Sequence, residues 1–78
     1  MNKNRRKSLR RALSYLDSAI CIIRDAKDEE QDCLDNLPEN LQSSERYEAM
    51  ENAVDDLDNA VSSLRDASTS IDDAISRG

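Results

Sequence analysis

The feature that most limits what this chain can fold into is a heptad pattern that runs almost its whole length and is interrupted once, at Pro38. Larger residues recur at intervals of four and three: Leu9, Leu13, Leu16, Ile20, Ile23, then Lys27 and Glu30, then Leu34 and Leu37. Beyond the proline the spacing resumes at Tyr47, Met50, Val54, Leu57, Val61, Leu64, Ser68, Ile71 and Ile75. This period keeps one seam of side chains on a single helix face, where a strand would need a period of two.

Pro38 cannot donate a backbone hydrogen bond and biases the residue before it away from helical angles, so a first helix is expected to stop near Leu37. Ser43 or Ser44 can cap a second helix, with Glu45 and Glu48 in its first turn meeting the positive end of its dipole. The expectation is a single domain over residues 1–78, with helices at about 5–37 and 44–76 and a turn at 38–43. Residues 1–7 are polar and basic and are expected to fray. Two helices of about 45 Å joined by a short loop form an antiparallel hairpin.

A second stripe accompanies each seam at seven-residue intervals: Ala12, Ala19, Ala26 and Cys33, then Ala53, Ala60, Ala67 and Ala74. With Leu13 and Val54 at heptad position a, both stripes fall at g. In an antiparallel pair e faces e, and one alignment sets Arg10 against Asp72, Asp17 against Arg65, Arg24 against Asp58 and Gln31 against Glu51. A shift of one heptad in either direction brings like charges together. Such exposed pairs contribute only a few tenths of a kcal/mol each, and their use is to exclude wrong registers. The same alignment stacks Leu9 on Ile75, Ile20 on Leu64 and Leu34 on Met50.

The fold class expected is therefore all-α, an antiparallel two-helix coiled-coil hairpin with a, d and g positions buried. A two-helix layer buries little surface. The flank formed by Ala12, Tyr15, Ala19, Ile22, Ala26, Ala60 and Ala67 is expected to be covered by a second copy, giving a homodimeric four-helix bundle.

Composition agrees with long helices: 37% hydrophobic, 36% charged, two aromatic residues and a single Gly, at the last position. The net charge of −6 hides an asymmetry. Residues 1–11 carry Lys3, Arg5, Arg6, Lys7, Arg10 and Arg11 and no acid, whereas residues 25–51 carry ten acids against Lys27 and Arg46. No apolar run approaches the ~18 residues of a membrane span, and none follows the basic start as in a signal peptide, so a cytoplasmic setting is expected. Cys21 and Cys33 lie about 18 Å apart on one helix and cannot pair within the chain; free thiols fit a reducing compartment.

Three groups of residues invite a functional reading, each against a plainer one. Lys27 and Glu30 interrupt the seam; they form either a polar ligand-binding layer or a mutual i, i+3 pair whose stems pack while the charges reach water. The basic start, Lys3, Arg5, Arg6, Lys7, Arg10 and Arg11, can bind nucleic acid, a nucleotide or a membrane surface, or can simply be offset by Asp72 and Asp73 alongside. The acidic end, with Asp25, Asp28, Glu29, Asp32, Asp35 and Glu39, can mimic a phosphate backbone and occupy a nucleic-acid-binding groove on another protein, or can be a solvated face. There is no His, no calcium-loop spacing and no Gly-rich phosphate loop. No catalytic residue, metal or cofactor is expected, and the protein is expected not to be an enzyme.

The run Asp28-Glu29-Glu30-Gln31-Asp32, then Asp35 to Gln42, Ser44-Glu45-Arg46 and Glu48-Ala49-Met50-Glu51 resembles small acidic helical-hairpin proteins of bacteriophages and mobile elements. It covers about a third of the chain. The resemblance implies a phage or prophage setting, in which short helical proteins occlude or sequester host components, including defence systems; it assigns no site residue. The function expected is a non-enzymatic protein-binding module acting on a host protein. The alternative is a nucleic-acid or nucleotide binder that uses the basic start.

Overall fold

A computed structural model describes residues 1–78 as two long helices and a short connection. Helix α1 spans Lys3–Asp35 and α2 spans Glu45–Arg77, with a single 3₁₀ turn at Glu39–Leu41 between them. The helices pack along each other as an antiparallel hairpin, a rod of 59 × 15 × 13 Å. The ends of the chain meet, with the Met1 ammonium donating to the Gly78 carbonyl.

Helix α1 begins earlier than the composition of its first turn suggests. Lys3, Arg5 and Arg6 oppose the helix dipole, yet residues from Lys3 onward are helical rather than frayed. Asn2 supplies the reason: its side-chain oxygen accepts from the backbone N–H of Arg5 at 2.8 Å, satisfying one of the orphan donors of the first turn. The helix also stops two residues before Leu37. Pro38 disfavours helical angles at Leu37. Asn36 closes the end instead, its backbone N–H and its side-chain amide both donating to the Asp32 carbonyl at 3.1 and 2.8 Å.

Of the two candidate caps, Ser44 starts α2. Its hydroxyl accepts from the Tyr47 N–H at 3.2 Å and donates to the Leu41 carbonyl at 2.6 Å, tying the 3₁₀ turn to the second helix. Glu45 and Glu48 lie in the first turn and Arg77 in the last, all favourable to the dipole.

Every seam position from Leu9 to Ile75 is at least half-buried, but only Ile20, Leu34, Val61 and Ile75 are fully buried. The expectation that the whole g stripe is buried is not met. Ala12, Ala19, Ala53 and Ala60 are half-buried, whereas Ala26, Cys33, Ala67 and Ala74 are exposed. Two helices enclose only the line between them, and position g lies at the margin of that line. The consequence is visible in the totals: the chain exposes 5945 Å², against about 4,800 Å² for a compact protein of 8.8 kDa.

Candidate functional site

The molecule offers surfaces. No group of three or more Cys, Asp and Glu side chains is placed to hold a metal ion, and no helix is long and apolar enough to cross a membrane. Both Cys21 and Cys33 are free and exposed.

The e positions do lie side by side. Asp17, Arg24 and Arg65 line one shallow groove between the helices, and Gln31 and Glu51 line another. None of the expected e-to-e ion pairs closes, however. The one ion pair between side chains joins Lys27 to Asp58, with Nζ 2.9 Å from Oδ1. Lys27 leaves the seam position a with its stem half-buried and takes the carboxylate expected for Arg24. Nor does Lys27 pair with Glu30, which stays half-buried without an ion-pair partner. The geometric reason is that a side chain at a already lies between the helices, so its ammonium reaches the opposite e position directly, while Arg24 at e starts farther out. The signal was present in the sequence, since Asp58 adjoins Leu57, the residue opposite Lys27.

The acidic end is left without ion pairs. Asp25, Asp28, Glu29, Asp32, Asp35 and Glu39 are all exposed. Lys27 is turned away to Asp58, and none of the six forms an ion pair. Only Asp35 takes a side-chain hydrogen bond, from Gln31 at 2.8 Å. Residues 25–51 thus present ten acids against two bases, a net −8, with the field largely open to solvent.

The basic end is arranged differently. Of Lys3, Arg5, Arg6, Lys7, Arg10 and Arg11, only Arg6 is half-buried, continuing the seam one turn before Leu9. No ion pair links any of them to Asp72 or Asp73, so the expected offset is at most one of proximity. In heptad terms they occupy e, g, a, b, e and f. Five of them, all but Arg5, fall within an arc of about 140° on the helix and so share one face of it.

The third surface is the flank. Tyr15 and Ile22, at successive c positions beside the alanine stripe, are 68% and 69% exposed, the two most exposed large apolar side chains of the rod. Below the opposite flank the Ser68 hydroxyl is buried without a hydrogen-bond partner. That position takes part in the seam, and the period alone could not show that its hydroxyl would be stranded.

No family model matches the chain, and neither a curated protein nor a solved structure is found to be similar to it.

Proposed function

We propose that this protein is a non-enzymatic binding module whose acidic turn end occupies a basic surface on a partner protein. The observation that carries the proposal is the state of the six acids Asp25, Asp28, Glu29, Asp32, Asp35 and Glu39: all are exposed and none is ion-paired. A narrow rod tipped with net −8 has the shape and field that a groove built for a phosphate backbone accepts. Association of this kind is fast and weakens steeply with salt. The partner proposed is a host protein of a phage or mobile element, possessing a nucleic-acid-binding groove that the rod occludes.

A second reading has its own observation. The six cations of the basic end are also without ion pairs, as a site for a nucleotide or nucleic acid requires. The face that five of them share suits a phosphate backbone, but no aromatic side chain lies among residues 1–11 to stack on a base, which weighs against this reading.

Pull-down from a bacterial lysate in low salt, with nuclease, separates the two. The wild type is compared with a variant lacking residues 1–7 and with the triple variant Asp28→Asn, Glu29→Gln, Asp32→Asn. A protein partner retained by the truncated chain and lost from the triple variant is the expected result. Retention by the triple variant with loss on truncation would overturn the proposal.

A further inference from the structure

We propose that the exposed flank of α1 is a self-association surface, on which a second copy packs antiparallel with its twofold axis between Ser18 and Ala19. The inference does not depend on the acidic end having an outside partner.

Three observations converge on a second copy as the occupant. The first is area. The chain exposes 5945 Å², about 1,200 Å² more than a compact protein of its mass. A standard interface removes about 800 Å² from each partner, which returns the hairpin most of the way to a compact surface. The second is placement of the apolar anchors. Tyr15 and Ile22 stand one heptad apart, about 10 Å along the helix, on either side of Ala19. Ala19 is the middle residue of α1, which runs from Lys3 to Asp35. A twofold axis between Ser18 and Ala19, within a residue of that midpoint, lets the two rods overlap along almost their full length and sets Tyr15 of each copy on Ile22 of the other, as an isologous contact demands. The alanine stripe beside them allows the helix axes to approach at the short end of the usual 8–10 Å.

The third is charge. When two helices meet through c and g, positions f flank the contact. The register that sets Tyr15 on Ile22 brings Arg11 of each copy against Asp25 of the other, and lays the basic start of one chain along the acidic stretch of its neighbour. Both Arg11 and Asp25 are exposed and neither has an ion-pair partner within its own chain. The neighbouring registers do less well. One sets Tyr15 on Tyr15 with Arg11 against Ser18; the other moves the axis to Ile22 and puts Tyr15 beside the Glu29 carboxylate. Residues 25–51 keep a net negative charge even beside the +6 of residues 1–11, so the turn end remains acidic in the dimer.

The test is charge reversal, read by sedimentation equilibrium of the full chain from 1 to 100 µM, with circular dichroism to confirm that each variant stays helical. The wild type is expected to be dimeric. Arg11→Asp alone and Asp25→Arg alone each place like charges at two symmetric contacts, and each should weaken the dimer about tenfold. Mixing the two single variants should restore association. In that heterodimer each contact again joins a cation to an acid. A monomeric wild type at 100 µM would overturn the proposal. So would a dimer that is indifferent to both substitutions, or a mixture no tighter than its separate components.

Discussion

The Lys27 ammonium lies 2.9 Å from the Asp58 carboxylate, bridging a core position of α1 and a flanking position of α2. Asp58 is 65% exposed, so the pair should contribute only about 0.5 kcal/mol, in the range of surface pairs. A double-mutant cycle with Lys27→Met and Asp58→Asn should return a coupling of that size. The parallel cycle with Arg24→Gln and Asp58→Asn should return none. Coupling in the second cycle and none in the first would mean that Arg24, not Lys27, holds this carboxylate.

Ser68 should be a site of easy stabilisation. Its hydroxyl is buried without a partner, and Ala is the better helix former. Ser68→Ala is expected to raise stability by about 1 kcal/mol, or about 5 °C in Tm for a domain of this size. A lowered Tm would show that the hydroxyl contributes a bond, most simply to a carbonyl in its own helix.

The two serines before α2 should differ sharply. Ser44 bonds both Tyr47 and Leu41, so Ser44→Ala should cost about 1 kcal/mol in chemical denaturation. Ser43 makes no such bond, and Ser43→Ala should be close to neutral. Equal effects would contradict the position of the cap.

The basic start should be tolerated at a cost to the helix. Arg5→Glu places an acid three residues after the Asn2 cap, where it favours the dipole and can complete a capping box. Stability should rise by about 0.5 kcal/mol. A fall would indicate that Arg5 is held by the surrounding negative charge of the hairpin.

Much of this fold was legible because period and punctuation agree. The four-three spacing and one proline specify two helices and their reversal, and each seam residue from Leu9 to Ile75 is at least half-buried, as the spacing requires. What could not be read was decided by single side chains. Whether the dipole penalty of Lys3 and Arg5 or the cap from Asn2 prevails is a difference of a few tenths of a kcal/mol. Asp58 had two cations within plausible reach, Lys27 and Arg24, and only the three-dimensional path of Lys27 separates them. The acidic and basic ends were plain from composition, but their lack of ion pairs, on which the functional proposals rest, was not.

All three surfaces are positioned by the reversal at Pro38. The most direct test places spin labels at Ser8 and Ser76, both exposed, in a chain with Cys21 and Cys33 replaced by Ser, diluted with unlabelled protein. The hairpin predicts a label separation under about 30 Å, since adjacent helix axes lie about 8–10 Å apart, and predicts that it survives dilution. A separation near 100 Å, the length of a continuous helix over the same residues, or a short distance that vanishes on dilution, would contradict it.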